Sequence, residues 1–303
     1  TYFDEVQADN PLVHLQFGET SGTTALNAGS LGASHNATHN NQVSLSVPGP
    51  IINEVPNRAI RYNGSTGFST LNSLLGSANF SDANYTVEMW FRSDTGAQPQ
   101  DLLSITNAAG SGHGVLLETA AGEGLRYLHR SPVGGAGGQN IFSSQSFTKG
   151  QWHDMAIVND SNAMRLYLDG NLDATTNTSS AALGIDLQTT IGRLSNTLNA
   201  RHFDGGIDEV AIYDQALSAA RIQAHVTAAS TPSALFIKED VLAVDFGATG
   251  QDVQSGFQEF SRATGAAGAQ TEDYASSFAA TGTDITVAID NTAGFRDRGN
   301  GGG

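Results

Sequence analysis

The feature that most constrains this chain is an eight-residue alternation at 85–92, YTVEMWFR. Tyr85, Val87, Met89 and Phe91 fall on one side of an extended backbone, and Thr86, Glu88, Trp90 and Arg92 on the other. A period of two marks a half-buried antiparallel strand, because successive Cβ atoms point to opposite faces of a sheet. Shorter runs of strand character recur at 12–17, 59–62, 102–106, 115–118, 125–129, 153–158, 164–168, 190–192 and 207–213. Asp169-Gly170 follows one of them and supplies the turn chemistry of a tight hairpin, since glycine accepts positive φ. Many short strands, loops rich in Gly, Ser and Asn, and no βαβ rhythm specify an all-β antiparallel sandwich. One short helix is expected, AARIQAHVTAA after Ser218 as N-cap. At barely three turns, it must dock on the sandwich to persist.

Composition narrows the partners. A formal charge of −16 argues against duplex nucleic acid and anionic membranes, both of which reward basic patches. No stretch approaches the ~20 apolar residues of a membrane helix. The absence of cysteine excludes a disulfide scaffold and thiolate metal sites. A chain that starts at Thr1 without Met fits removal of a leader, so a secreted protein is expected.

A composition shift follows residue 229. Ser230-Thr231-Pro232-Ser233 opens a linker assigned to 230–239, because proline ends the helix and small polar residues keep the chain solvated. In 240–303, Leu242, Val244 and Phe246 alternate, and ITVAID at 285–290 reads as another strand. Two or three strands make a poor independent sandwich. The segment is therefore expected to be a partial second β domain, or an extended arm that pairs with another chain.

Several segments of residues 1–229 together resemble the laminin G-like, concanavalin-like jelly-roll domains of bacterial extracellular proteins. NPLVHLQFGETSGTTALNAGSLGASHNATHNN (10–41) is similar to that family's opening strand, turn and small-residue loop. YTVEMWFR resembles its central aromatic strand, and GQWHDMAIV (150–158) with MRLYLDGNL (164–172) the strand and hairpin that follow. FDGGIDEVAIYDQALSAARIQAH (203–225) resembles the closing strand and terminal helix. The resemblance implies a jelly-roll sandwich and roles in carbohydrate binding, adhesion or accessory modules beside catalytic domains, on the secreted or cell-surface side of a bacterium. A fold hosts many functions, so the site must carry the rest.

Enzymatic chemistry finds little footing. Glycoside cleavage needs two carboxyls flanking one bond. Asp208 and Glu209 are consecutive, so the pleat is expected to send them to opposite faces. Glu118 and Glu123 read as a solvated hairpin, and no Gly-x-Ser-x-Gly elbow occurs. His35 and His39 read as exposed loop histidines, and His153 as a strand-end residue with a satisfied ring.

A structural Ca²⁺ is the stronger metal reading, since hard cations take carboxylates and carbonyls from loops. The resemblance places a calcium-linked acid at Asp208 and brings Glu19 and the Asn27 loop beside it. Asp208 could equally cap a strand end or pair with Arg201. Sugar binding would use aromatic and planar polar side chains on loops or a sheet face. Trp90 and Trp152 are expected in the core. The exposed candidates are Tyr127, His129 and Arg130 at a strand end, with Arg193, Asn196, Asn199, Arg201 and His202 around the 190–203 loop. The expected function is a non-catalytic extracellular module that binds a glycan or cell-surface polymer. The alternative is a structural subunit of a cell-surface or filamentous assembly, self-associating through its C-terminal segment.

Overall fold

The computed structural model describes residues 1–40, 42–52, 54, 56–76, 84–95, 99–160, 162–177, 183 and 186–230, with four short strands beyond. The chain divides into two compact units, Thr1–Ser233 and Ala234–Gly303. In the second unit Val244–Asp245 pairs in parallel with Gln258–Glu259, and Thr271–Asp273 pairs antiparallel with Thr286–Ala288. The expected linker beyond Ser230, and Leu242 and Phe246 of the expected strand, lie outside the described residues.

The first unit opens with helix α1 (Tyr2–Ala8) and strand β1 (Val13–Leu15). Five short strands follow: β2 (Thr24–Ala25), β3 (Ala37–Asn40), β4 (Val43–Pro48), β5 (Arg58–Asn63) and β6 (Phe68–Leu71). Then come β7 (Asn84–Ser93), β8 (Gln100–Asn107), β9 (His113–Ala120), β10 (Gly124–Gly134) and β11 (Gln139–Phe142). The unit closes with β12 (His153–Asp160), β13 (Ala163–Leu168), β14 (Asn171–Asn177), β15 (Leu187–Ile191), β16 (Asp204–Tyr213) and helix α2 (Ala219–Ser230). Each run expected to be a strand in residues 1–229 overlaps one, with 12–17 shortened to Val13–Leu15.

These strands form two antiparallel sheets stacked as a jelly-roll sandwich. The first has the order β14-β13-β12-β7-β16-β5-β4, with β1 also paired to β16; the second runs β11-β10-β9-β8-β15-β6-β3-β2. Tyr85, Val87, Met89 and Phe91 of β7 enter the core between the sheets, with Leu103, Ile105, Leu117 and Leu125 from the second sheet. The β13–β14 hairpin turns at Asp169-Gly170, whose φ values of 50° and 76° are those a two-residue turn with both residues left-handed requires.

One expectation fails in an informative way. β7 is not half-buried: its outer face carries Trp90 into a second apolar cluster with Tyr2 and Val6 of α1, Ile222 of α2, and Ala156, Tyr213 and Leu217. Both helices lie on this face of the first sheet. Ser218 caps α2, its Oγ accepting from Arg221 N at 3.3 Å. α1 went unread because seven residues leave little periodicity, although its capping pair, Thr1 and Asp4, is in the sequence.

Glu88, opposite in facing to the core residues of β7, is buried under these helices and is matched there. His225 of α2 bridges Glu88 (3.0 Å) and Asp9 (2.9 Å), while the Tyr213 hydroxyl donates to Glu88. Arg221 ties Asp9 (2.8 Å) and Glu5 (2.9 Å) to the same helix. Burial alone would lower the His225 pKa, but Glu88 and Asp9 outweigh it and hold it at about 9. Asp154 shares the region, and burial followed by the Glu88 charge pushes its carboxyl well above the carboxylate range.

The folded pKa of His225 lies above the ~6.5 of a free histidine. Its contribution to stability is therefore complete below about pH 6.5 and lost as pH rises through about 9. Thermal melts should show a falling Tm from pH 7 to pH 10. His225→Ala should cost about 3–5 kcal/mol at pH 7, because it strands buried Glu88, and should flatten that part of the profile.

Candidate functional site

The helices commit the outer face of the first sheet to packing, and the outer face of the second sheet is exposed at its β11 edge. Cross-strand partners share a face, so the register defines two rows there. One row is Asp101 (β8), Glu118 (β9), Arg126 (β10) and Phe142 (β11). The next is Ser104, Leu116, Leu128 and Asn140 on the same strands. The 192–203 loop crosses this surface. Leu194 and Ala200 pack on Leu116 and Leu128, and the Ser104 hydroxyl donates to the Arg193 carbonyl at 3.2 Å.

The loop delivers Arg201 to the first row. Its carbonyl accepts from Asp101 N at 2.9 Å, and its guanidinium donates to one Glu118 oxygen while Arg126 donates to the other. Arg126 also places Nε (2.9 Å) and Nη2 (2.7 Å) on Asn140 Oδ1. Glu118 is fully buried and doubly paired, where the sequence suggested a solvated hairpin. The correction follows from the covering loop, which no local pattern announces.

Asp101 is equally buried, yet neither carboxyl oxygen has a hydrogen-bond partner and Arg201 Nη1 stands 4.0 Å away. Burial, then the Glu118 charge, pushes its pKa well above the ordinary carboxylate value. A neutral acid beside a paired carboxylate has the composition of an acid/base pair. At 0% exposure, however, neither side chain is open to a substrate.

The residues expected to bind ligand divide by the pleat. Tyr127 and His129 face the core, which corrects their reading as exposed groups: the strand runs on to Gly134 rather than ending near 130. The Tyr85 hydroxyl bonds Tyr127 (2.6 Å) and His129 Nδ1 (2.7 Å), and burial lowers the His129 pKa to about 4, keeping the ring neutral. Arg130 donates to the carbonyls of Gly137 (2.7 Å) and Gly134 (2.6 Å). Arg193 is also buried, its guanidinium 3.5 Å over the Phe68 ring and bonded to the carbonyls of Ser195 and Asn196; it shapes the loop rather than standing free. In the same loop, His202 Nε2 meets Asn199 Oδ1 at 2.7 Å. Asp101, Glu118, Arg126, Asn140 and Phe142 were missed, although Arg126 and Leu128 alternate legibly with Tyr127 and His129.

The remaining histidines follow their strands. His39 lies on β3 facing inward, bonded to Ser69 at 2.8 Å, rather than in an exposed loop; His35 is partly buried beside Ser34. His153 has both nitrogens engaged, by Asp169 (2.8 Å) and Thr148 N (2.9 Å).

At the opposite face, β16 breaks its alternation. A register shift falls between Asp208 and Ala211, and Glu209 adopts φ 51°. A bulge of this kind re-aims side chains. It corrects the expectation that Asp208 and Glu209 point apart: both fall between the core residues Ile207 and Val210, and the Glu209 charge acts on Asp208. Glu209 meets His14 Nε2 at 2.6 Å, whereas its Oε1 and both oxygens of Asp208 are buried without a close hydrogen bond, Asn57 standing beside Asp208 and Gln16 beside Glu209. Burial leads, and the Glu209 charge follows, in raising the Asp208 pKa; Asn57 opposes the shift. The chain passes so close above that a Cβ at Gly49 would lie 2.7 Å from Asp208 Oδ2.

The expected calcium set does not assemble. Glu19 accepts from Leu26 N at 2.8 Å, and Asn27 Oδ1 accepts from His14 N and Gly29 N, both at 2.8 Å. Asn27 thus ties its loop to β1, and Glu19 is engaged through Oε1 alone. Asp208 does not pair with Arg201, which is committed to Glu118. Among the described residues no group of three His, Cys, Asp or Glu is arranged to hold a metal. The orphaned oxygens of Asp208 and Glu209, with Asn57 beside them, do suit a hard cation.

The family model of the concanavalin A-like lectin/glucanases superfamily matches residues 63–223. No curated protein matches the chain in sequence. Among solved structures, domain 4 of AbnA, a GH43 extracellular arabinanase from Geobacillus stearothermophilus, in complex with arabinotriose, is 17% identical with a TM-score of 0.56; the match covers 72% of this chain and 98% of that one. The binding domain of Paraclostridial Mosquitocidal Protein 1 is 14% identical with a TM-score of 0.52, over 80% of this chain and 56% of that one. The binding domain of Botulinum Neurotoxin DC in complex with SialylT is 12% identical with a TM-score of 0.56, over 78% and 54%. The chain thus spans little more than half of the two toxin domains, and at these identities the likeness is one of fold.

Arg201→Ala should destabilise the protein by about 3 kcal/mol, because Glu118 loses one of two counter-charges in a buried setting. Exposed Asn199→Ala should stay within about 0.5 kcal/mol of the parent. Urea unfolding of both variants checks the difference.

Proposed function

Because the chain belongs to the concanavalin A-like lectin/glucanases superfamily, we propose that its first unit is a non-catalytic, extracellular glycan-binding module that engages its ligand on the outer face of the second sheet. The observation that carries this reading is the fixed polar array of Glu118, Arg126, Arg201 and Asn140 beside exposed Phe142. Sugar recognition needs planar polar groups and an apolar surface held in register before the ligand arrives, so that little ordering entropy is lost on binding. Strand pairing and the crossing loop supply that rigidity.

The non-catalytic part of the reading rests on access. Asp101 and Glu118 are the one adjacent carboxyl pair on this face among the described residues, and both are covered by arginines. The neighbours point the same way, since two are binding domains and the third is a separate domain of an arabinanase in complex with arabinotriose. A glycan on a cell surface would make the module an adhesin; a glycan in a polysaccharide would make it an accessory to degradation.

A structural Ca²⁺ belongs to the same proposal, held at Asp208 and Glu209 with Asn57, remote from the binding face. Such a cation supplies positive charge where two carboxyls lie buried together. In its absence the cheapest state is a protonated Asp208, as its raised pKa implies.

Binding to a panel of polysaccharides, arabinan included, tests the main reading: saturable binding to one class without release of reducing ends is expected, and turnover would replace the module with an enzyme. Excess Ca²⁺ should raise Tm relative to chelator at pH 7, and Asp208→Asn should raise Tm in chelator while abolishing the calcium response. An identical Tm in both media would remove the cation from the proposal.

A further inference from the structure

We infer that Phe142 is the stacking platform of the binding face, and that its ligand is a neutral pyranose unit within a polysaccharide chain. The inference rests on the glycan-binding reading and specifies its residues and ligand class.

Phe142 is 57% exposed, and among the described residues no other aromatic side chain is exposed. Isolated apolar side chains on a surface are ordinary, so exposure alone decides nothing. Its surroundings decide. Phe142 stands directly across from Arg126 in the β10–β11 register, and Asn140 lies two residues earlier on the same face of β11. Side chains so placed are about 5–7 Å apart at their bases, which is the span of one sugar ring. β11 ends its sheet, so the ring is open along one side rather than enclosed.

The polar groups define the ligand. A pyranose offers one face of C–H bonds and a rim of hydroxyls; the ring face fits an aromatic surface and the rim needs hydrogen-bond partners. Asn140 Oδ1 is fixed by two donors of Arg126, which directs its amide nitrogen away from the protein as a donor for a hydroxyl oxygen. Arg126 itself has Nε, Nη1 and Nη2 committed to Asn140 and Glu118. Arg126 therefore offers no free fork to take a ligand carboxylate or sulfate in two-pronged fashion, and Arg201 beside it is already charge-paired with Glu118 through Nη1. A chain of net charge −16 also disfavours polyanions at a distance. The paired arginines and the negative charge of the chain together favour an uncharged ligand. The open edge suits a unit inside a polymer, because nothing closes round a chain end.

Affinity electrophoresis of the full chain separates the cases, with mixed-linkage β-glucan, xylan and galactomannan as neutral polymers and alginate and polygalacturonate as anionic ones. The expected result is retardation by a neutral polymer, weakened at least about tenfold in Phe142→Ala, kept in Phe142→Trp and unchanged in Leu172→Ala, another exposed apolar side chain. An unchanged Tm in Phe142→Ala assigns the loss to the surface rather than to folding. If Phe142→Ala binds a neutral polymer as well as the parent does, the platform is wrong and the glycan-binding reading stands. Retardation by anionic polymers alone overturns the ligand class. No retardation by any polymer removes the binding reading and this inference together.

Discussion

The structure depends on burying β7 from both sides. A central strand with apolar residues on one face can sit in a sandwich half-wetted, but β7 carries Trp90 on the other face as well, and its neighbours add Ala156 and Tyr213 there. That surface must be covered for the sheet to be stable in water. α1 and α2 cover it, and they do so jointly: neither is long enough to persist alone, and Arg221 joins them through Asp9 and Glu5. Once the first sheet is covered in this way, the exposed strand edge at β11 belongs to the second.

The same economy governs the buried charges, which the fold handles in three different ways. Glu88 is given a histidine and a tyrosine hydroxyl. Glu118 is given two arginines from separate elements. Asp208 and Glu209 share a single histidine, at Glu209, and leave three oxygens unsatisfied. A buried ion pair seldom adds much net stability, because desolvation offsets its attraction. What the first two arrangements do provide is position: one fixes a helix, the other a loop. The third provides neither, and this asymmetry is what motivates the proposal of a cation there.

The fold was legible in the sequence because its strands are amphipathic in a simple period. Residues 85–92, 153–158 and 207–213 declare themselves by apolar content, and Asp169-Gly170 by turn chemistry. The site was less legible, for two physical reasons. Register is a long-range quantity: nothing near Glu118 or Asp101 says that they face each other, or that Arg201, 83 residues from Glu118, will close over both. Departures from ideal geometry are also silent in a period-two reading. The bulge at Glu209 moved Asp208 and Glu209 onto one face, and pairing with the core residues Leu117 and Val115 of β9 places Tyr127 and His129 inward. Aromatic character drew attention to Tyr127, while Phe142, at the end of a short edge strand, had no pattern to mark it.

The placement of α1 and α2 on the same face has a consequence for architecture. Both helices lie on one side of the sandwich, and the Phe142 surface lies on the other, with two sheets about 10 Å apart between them. If the Phe142 face binds as proposed, a fusion at either helix would leave it unobstructed, so that attachment and grip could be altered separately.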